Sequence, residues 1–311
     1  MNLYSERGLE EFRMTETMAC TYETIYYTLW EAAQRYGQVA QFRVIGKSHD
    51  DRMIPMLELG GGEECIFCLA GLCGTDRLMP TYLLWMIQEY TKAWECGWNL
   101  EDIYDVRQLL ADWKICFIPV LNPDGYEIYE KDYTVIRNPI YRQMLRMQET
   151  PCREYVCNAR GMDIQKNFPT NYYSRKRIHQ QPASENETKA LVRVFQEYTG
   201  RGLLSFGHSS RRIIYFRQPQ SFCTNQKSYR LARHLQRRAG FRMEKYNLET
   251  EKQDASGLSG GGSPERFYAE ICRQPSFRIE IPPVPDEEED VCSLEEYQEI
   301  HTLPLEYLFS L

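Results

Sequence analysis

Two side chains that could bind a metal ion or attack a substrate lie three residues apart in the stretch GLCGTDRL, residues 71–78. Cys73 and Asp76 follow the apolar run CIFCLA and precede MPTYLLWMIQEY, whose pattern is typical of a helix. Open α/β sheets bind ligands where a strand ends and a helix begins. The residues alone allow three interpretations: a pair of metal ligands, a nucleophile with a carboxylate neighbour, or what is left of an older site.

Two further titratable residues stand in strand-like segments far along the chain. His208 follows the apolar run LLSF, and Glu280 interrupts the strand pattern FRIEI. A buried carboxylate costs several kcal/mol unless it is paired, so Glu280 is predicted to be functional or ion-paired. Plainer interpretations are a hydrogen-bonded structural imidazole for His208, a helix cap for Asp76 and a buried thiol for Cys73. Polar surroundings predict surface positions for His49, His179, His234 and His301.

The first half of the chain shows alternating helix and strand patterns that would position these side chains. Helical spacing covers residues 20–37 and 79–95. AQFRVIGKS and MIPMLELG alternate like a hairpin pair of strands, whereas CIFCLAG is a continuous apolar run that predicts a central strand. WKICFIPVL predicts another central strand, ending in a turn at Asn-Pro-Asp-Gly, residues 122–125.

The second half continues the alternation after an excursion without a clean period at residues 127–157. A capping box of Ser184 and Glu187 predicts a helix start, and GLLSFGHSSRRIIYF predicts strand, turn and strand. A basic amphipathic helix at 226–240, a Gly/Ser-rich loop DASGLSGGGS, a strand ending in SFRIEI and one closing helix follow. The runs YSRKRIHQ and DEEED are predicted to be solvated loops. Without a composition break, these elements predict an α/β fold: one domain over 20–311, with a mixed parallel and antiparallel sheet between helices, after an N-terminal extension at 1–19.

Composition excludes several functional classes. The 311-residue chain carries a net charge of −7 without a basic stripe, so nucleic acid is not expected as a partner. No apolar run is long enough for a membrane span, and the first twenty residues lack the apolar core of a signal peptide, so a cytoplasmic location is expected. Eleven cysteines in such a chain predict reduced thiols. Cys65 and Cys68 form a CxxC within a strand, where residues three apart face opposite sides, so both are expected to be buried apolar side chains.

Six segments resemble the zinc carboxypeptidase family of the carboxypeptidase A type, in the family's order from about residue 20 onwards. They are FIPVLNPDGYE, NARGMDIQKNFP, PASENETKAL, LLSFGHSSRRIIYF, RQPSFRIEI and GLCGTDRL, the last on the family's HxxE segment. NARGMD and FYAEICRQPSFRIE look most similar to bacterial gamma-D-glutamyl-diamino-acid endopeptidases, which cleave cell-wall-type peptides. The resemblance implies the zinc-carboxypeptidase fold, a peptidase activity, a zinc cofactor and a peptide as substrate or ligand.

Carried over position by position, the resemblance implies zinc ligands at Cys73, Asp76 and His208, where the family has His, Glu and His, and a general base at Glu280. The family's arginine that polarises the scissile carbonyl corresponds to Val156 in this chain. The family's tyrosine that covers the substrate is expected in the segment GGGSPER, which contains no tyrosine. The substrate-binding set that it implies, with neighbouring arginines as stand-ins, is Gln165, Lys166, Arg160, Arg153 and Asn122.

Cysteine and aspartate at the first two ligand positions, in place of the family's histidine and glutamate, change the expected zinc chemistry without removing it, because thiolate and aspartate both bind zinc. Aspartate reaches about 1.5 Å less far than glutamate, and two anionic ligands weaken the metal as a Lewis acid. Lys166 offers a carboxylate only a point charge where arginine grips with two hydrogen bonds. Three functions therefore stay open: a zinc peptidase with a Cys/Asp/His metal site, a peptide-binding module on the peptidase fold, and a thiol hydrolase built on Cys73 and His208.

Overall fold

The computed structural model of the chain describes residues 17–170, 181–217, 221–246, 262–282 and 290–311. Twelve strands are present within these ranges. In chain order they are β1 (Thr17–Met18), β2 (Ala40–Lys47), β3 (Met53–Leu59), β4 (Glu64–Leu69), β5 (Asn99–Leu100), β6 (Tyr104–Asp105), β7 (Lys114–Ile118), β8 (Thr199–His208), β9 (Arg212–Tyr215), β10 (Arg242–Lys245), β11 (Ser276–Ile281) and β12 (Val291–Cys292).

Ten α-helices accompany these strands in the same ranges. They are α1 (Tyr22–Arg35), α2 (Leu78–Cys96), α3 (Val106–Asp112), α4 (Pro123–Lys131), α5 (Pro139–Arg146), α6 (Asn186–Glu197), α7 (Phe222–Ala239), α8 (Pro264–Phe267), α9 (Leu294–Ile300) and α10 (Leu303–Phe309). Short 3₁₀ turns lie at Tyr133–Val135, Cys152–Glu154 and Ile164–Lys166, and α8 continues as a π-helical turn at Tyr268–Cys272. No helix of the described ranges is long and apolar enough to cross a membrane.

Eight strands form one mixed sheet in the order β10-β9-β11-β8-β4-β7-β3-β2. The four central strands β11, β8, β4 and β7 are parallel, while β3 runs antiparallel to both β7 and β2. The predicted hairpin of β2 and β3 and the central position of β4 are confirmed. So is the fold class: a mixed central sheet flanked by helices.

The period-2 alternation of β4 explains why helices cover both faces of the sheet. Cys65 and Phe67 enter the core on the side of α6, whereas Ile66 and Cys68 enter the larger core on the side of α2. The two thiols of the CxxC are therefore buried on opposite faces, as the sequence predicted, and form no metal pair.

The parallel strands bring the candidate residues to one edge of the sheet. Leu69 at the end of β4 pairs with Ser205 of β8, and His208 pairs with Ile281 at the end of β11. Carboxyl ends of parallel strands meet at the same edge, so GLCGTDRL, His208 and Glu280 converge there.

Three local predictions of secondary structure are wrong. Residues 122–125 start a helix instead of making a turn: Asn122 caps α4, and Pro123 occupies the first turn, where its missing N–H costs nothing. The irregular excursion predicted at 127–157 contains the end of α4, all of α5 and two 3₁₀ turns. The closing segment forms two helices, α9 and α10, that meet at residues 301–302.

The predicted capping box does not form. The cap of α6 is Glu185, without a side-chain capping bond, and the Ser184 hydroxyl donates to the Glu185 carboxylate instead. Glu187 is fully buried beside Asn158. The Ser-x-x-Glu pattern is therefore used in a buried polar cluster and not to cap the helix.

Two of the predicted surface histidines are largely buried. His301 is 7% exposed because its ring lies between Glu89 and Glu101, 2.9 Å from each carboxylate. His49 lies 3.1 Å from Glu185. His234 is half exposed, as expected. His179 lies outside the described residues, as do the predicted loops YSRKRIHQ and DASGLSGG and the four acidic residues 286–289. Of the N-terminal extension at 1–19, residues 17–18 pair with β12 and so belong to the folded unit.

Candidate active site

A cavity of about 450 Å³ opens at the carboxyl edge of β4, β8 and β11. It contains five of the nine residues that the sequence proposed for the site, together with several that the sequence did not single out. Its lining consists of Leu72, Cys73, Thr75, Asp76, Gln165, Ser205, Phe206, Gly207, His208, Ser209, Glu265, Arg278 and Glu280.

Glycines fix the loop that carries Cys73 and Asp76. Gly71 has a φ of +61°, and a Cβ atom there would lie 2.7 Å from the Pro119 carbonyl oxygen. A Cβ on Gly74 would lie 2.5 Å from the Gly125 carbonyl oxygen. The loop therefore packs on its neighbours backbone to backbone, which holds the two side chains in place.

Asp76 is oriented by one carboxylate oxygen and leaves the other unpartnered. Its Oδ2 accepts a hydrogen bond from the Gly71 N–H at 3.1 Å, while its buried Oδ1 has no partner. Burial raises the pKa of Asp76 to about 6. The cap position of α2 belongs to Arg77, so Asp76 is not the helix cap of the plainer interpretation. A buried carboxylate oxygen without a donor is what an incoming cation would satisfy.

Cys73 lies beside Gln165, whose Nε2 donates to the thiol sulfur at 2.7 Å. Burial and the nearby carboxylates of Asp163 and Asp76 raise the pKa of the Cys73 thiol well above its ordinary value. An activated nucleophilic cysteine needs the opposite shift. The thiol-hydrolase interpretation therefore loses its physical basis unless a cation enters the site.

His208 ends β8 and faces a carboxylate that the sequence did not suggest. Its Nε2 lies 4.0 Å from Oε1 of Glu296, and both atoms are buried without a hydrogen-bond partner. The other oxygen of Glu296 accepts from the Tyr82 hydroxyl at 2.5 Å. Burial lowers the pKa of His208, but Glu296, Asp76 and the Pro282 backbone together more than offset this, so the net shift is upward. A carboxylate behind a histidine is a common way to orient a metal-binding imidazole.

Glu280 is held by two donors from the segment after His208. The Ser210 hydroxyl at 2.8 Å and Arg212 Nε at 2.6 Å both bind its Oε2. Oε1 makes no hydrogen bond with the described residues. Of the two predicted alternatives for this buried carboxylate, the ion pair is present, and Glu280 also lines the cavity.

Arg278 is the cationic residue of the cavity, and the sequence reasoning missed it. It lies two residues before Glu280 on β11, and residues two apart on a strand share a face, which is the signal that could have found it. Its Nε and Nη2 bind the fully buried carboxylate of Glu265 at 3.0 and 2.9 Å, leaving Nη1 without a hydrogen bond among the described residues.

Four of the predicted substrate-binding residues do not line the cavity. Lys166 lies 3.4 Å from Asp163, Arg160 pairs with Glu185 at 3.4 Å, and Arg153 is exposed near Tyr129. Asn122 is fully buried, where it caps α4 and donates to the Leu72 and Cys157 carbonyls. Its place in the interior assigns Asn122 to holding the GLCGTDRL loop, not to touching substrate.

The donor set fits a metal ion in part. Asp76 Oδ1 is buried without a partner, and His208 lines the same cavity with its Nε2 turned towards Glu296. The thiol of Cys73 instead contacts Gln165, and within the described ranges the three predicted ligands do not bring their donor atoms within 4.8 Å of one another. Asp76 and His208 therefore share the cavity wall, and the thiol of Cys73, bound to Gln165, would have to move to join them at a metal ion.

Comparison with known proteins identifies the class to which this fold and cavity belong. The model of the zinc carboxypeptidase family matches residues 25–288. The chain belongs to the zinc carboxypeptidase family. Human carboxypeptidase O is 25% identical over 219 residues, which are 66% of this chain and 53% of that protein. The chain thus spans about half the length of the curated relatives that it matches.

Solved structures agree with the fold. Bovine thrombin-activatable fibrinolysis inhibitor, solved with a tick carboxypeptidase inhibitor, superimposes with a TM-score of 0.68 at 16% identity, covering 93% of this chain and 96% of that one. Carboxypeptidase A from Helicoverpa armigera gives 0.68 at 13% identity, covering 94% and 72%. These similarities establish the shared architecture.

Proposed function

We propose that this protein is a zinc-dependent metallopeptidase of the carboxypeptidase type with an atypical metal site. The observation that carries the proposal is the convergence of Cys73, Asp76, His208, Gln165 and Glu280 on one cavity at the carboxyl edge of the parallel strands. Family membership supports the peptidase chemistry.

Asp76 and His208, with Cys73 as the third ligand, would hold the metal. In such a site zinc lowers the pKa of a bound water towards 7 and polarises the carbonyl to be attacked. Asp76 is held for this role by the Gly71 N–H, and His208 is oriented by Glu296. Gln165 accompanies Cys73 and keeps the thiol at the cavity wall.

Glu280 is the proposed general base, which takes a proton from water and passes it to the leaving amine. Arg212 and Ser210 fix its Oε2 and leave Oε1 to accept that proton. The free Nη1 of Arg278 takes the place of the missing family arginine, since it is the cavity's cationic donor. Its role is to bind the carbonyl or carboxylate oxygen of the substrate.

A second function, a peptide-binding module without turnover, is favoured by how many polar groups in the cavity already pair with each other. Gln165 satisfies Cys73, Glu265 holds Arg278, and Arg212 holds Glu280. A peptide that occupied this cavity would meet charges already committed to neighbours. Binding without hydrolysis is the outcome that such a cavity would give.

Peptide hydrolysis by zinc-loaded protein separates the two functions. A panel of peptides with free and amidated C-termini, including gamma-D-glutamyl-diamino-acid peptides for the proposed cell-wall-type substrates, is incubated with wild type and with Glu280→Gln. The peptidase proposal expects amino-acid release that falls at least a hundredfold in the variant. Binding of the same peptides without turnover in wild type would favour the binding module.

A further inference from the structure

A second group of metal-ligating side chains lies outside the cavity. His49, from the loop between β2 and β3, meets Glu185 and Glu187 at the start of α6. One donor atom of each residue lies within 4.8 Å of the donor atoms of the other two, and both glutamates are fully buried. Nothing in the proposed hydrolytic site uses these three residues.

Nε2 of His49 contacts both a hydrogen-bond donor and a hydrogen-bond acceptor, which require different protonation states of that nitrogen. Its Nε2 accepts a hydrogen bond from the Asn186 backbone N–H at 3.3 Å, which requires a lone pair on that nitrogen. The same Nε2 lies 3.1 Å from Oε2 of Glu185, which as a carboxylate would favour a proton there. A cation between Nε2 and Oε2 would satisfy the imidazole lone pair and the carboxylate together. In a tetrahedral zinc site such ligand atoms are about 3.3 Å apart, close to the separation observed.

Glu187 has almost no hydrogen bonding for a fully buried carboxylate. Both of its oxygens share one donor, the side-chain amide of Asn158, at 3.4 Å. That amide makes its shorter bond, 2.8 Å, to Glu185. A buried carboxylate normally accepts several strong hydrogen bonds or neutralises its charge, so Glu187 is left open to a further partner.

The charge around this group is negative. Asp50 and Asp124 are also buried next to it, and the buried cation among them is Arg52, which binds both aspartates. Arg160 pairs with Glu185 from the surface, with 40% of its side chain exposed. Four buried carboxylates thus face one buried guanidinium and one half-exposed guanidinium.

We propose that His49, Glu185 and Glu187 form a binding site for a divalent transition metal, with Zn²⁺ as the ion tested. One imidazole and two carboxylates are a donor set that zinc uses in proteins, and imidazole disfavours Mg²⁺ and Ca²⁺. All donor atoms of the group lie within 4.8 Å of one another, so a small inward movement of a side chain would close any pair that is wider than the edge of a zinc tetrahedron.

The site lies behind the loop that carries the cavity residue Gln165. The backbone N–H of Glu185 donates to Asn167 Oδ1, and Asn167 Nδ2 donates to the Ser184 hydroxyl. Asn167 follows the 3₁₀ turn Ile164–Lys166 directly. An ion on Glu185 and Glu187 therefore fastens the start of α6 to the segment that borders the cavity, which makes the role structural.

Zinc titration in a background without the cavity ligands tests the proposal independently of the peptidase function. The chelator-stripped double variant Cys73→Ser, His208→Ala is titrated with Zn²⁺ by isothermal calorimetry. One equivalent is expected to bind. Adding Glu187→Gln or His49→Gln is expected to weaken that binding at least tenfold, whereas His234→Gln, at a half-exposed histidine, is the matched control and leaves it unchanged.

A stability readout guards against a variant that fails to fold. Glu187→Gln removes a buried charge while keeping the shape of the side chain, so the metal-free variant is expected to melt no lower than its parent. Zinc should raise the melting temperature of the double variant and leave that of the Glu187→Gln version unchanged. The proposal is overturned if the double variant binds no zinc, or if neither added substitution changes the affinity by more than twofold.

Discussion

Arg278→Met is the substitution whose effect the structure defines most sharply, because it leaves a charge buried. Glu265 is fully buried and receives both Arg278 hydrogen bonds, at 3.0 and 2.9 Å. Removing one partner of a buried ion pair costs about 3–5 kcal/mol. Since 26% of the Arg278 side chain is exposed, water reaches part of the pair, and we expect a loss near the lower end, about 3 kcal/mol.

Urea denaturation at neutral pH measures this loss, with Arg230→Met at an exposed position as the matched control, expected within about 0.5 kcal/mol of wild type. The double variant Glu265→Leu, Arg278→Met removes both charges and should lie within about 1 kcal/mol of wild type. A single variant that loses less than about 1 kcal/mol would refute the assignment of a desolvated ion pair to this cavity.

The same variant has a pH dependence of known sign. In wild type, burial raises the pKa of Glu265, but Arg278 more than offsets this and holds it below its ordinary value of 4.5. The pair therefore contributes stability above that pH and loses it in acid. In Arg278→Met the largest effect that lowers this pKa is lost, while burial and the smaller effects of the Ser263 and backbone hydrogen bonds remain, so the folded-state pKa of Glu265 rises. The deficit of the variant should be largest at neutral pH and shrink as the pH falls towards 4.5.

Three further predictions concern the cavity. Glu296→Gln removes the carboxylate facing His208, and zinc affinity measured by competition with a chromophoric chelator should fall about 10–100-fold; unchanged affinity would contradict the orienting role. Gly74→Ala places a Cβ about 2.5 Å from the Gly125 carbonyl, so urea denaturation should show a loss of about 1–3 kcal/mol; an unchanged midpoint would show that the loop is not tightly packed. Lys166→Ala should leave kcat and KM within about twofold, because the side chain does not line the cavity; a large rise in KM confined to peptides with free C-termini would restore the role given by the resemblance.

The sheet was predictable because each central strand is a run of apolar residues bounded by turn or loop residues. CIFCLAG and WKICFIPVL carry that pattern, and both became parallel inner strands. The segment after the second run was misread because Asn-Pro-Asp-Gly fits a turn and a helix start equally well. The packing of Asn122 against the Leu72 and Cys157 carbonyls decides between them, and no local pattern contains that information.

Some of the cavity residues could also be predicted from the sequence, and others could not. Residue type and position singled out Cys73, Asp76, His208 and Glu280, and the resemblance to the zinc carboxypeptidase family assigned them to one site. Glu296 could not be predicted, because it reaches His208 from a helix near the C-terminus through tertiary packing alone. The burial of His301 and His49 could not be predicted from the sequence for the same reason, because each ring contacts carboxylates that are distant in sequence.

An anomalous difference map at the zinc absorption edge, from crystals grown with zinc, would show whether the cavity holds the proposed metal ion. We expect a peak in the cavity at about 2.0–2.3 Å from an oxygen of Asp76, a ring nitrogen of His208 and the sulfur of Cys73. A cavity without a peak, with Cys73 still bound to Gln165, would contradict the metallopeptidase assignment and leave a peptide-binding relative of the family.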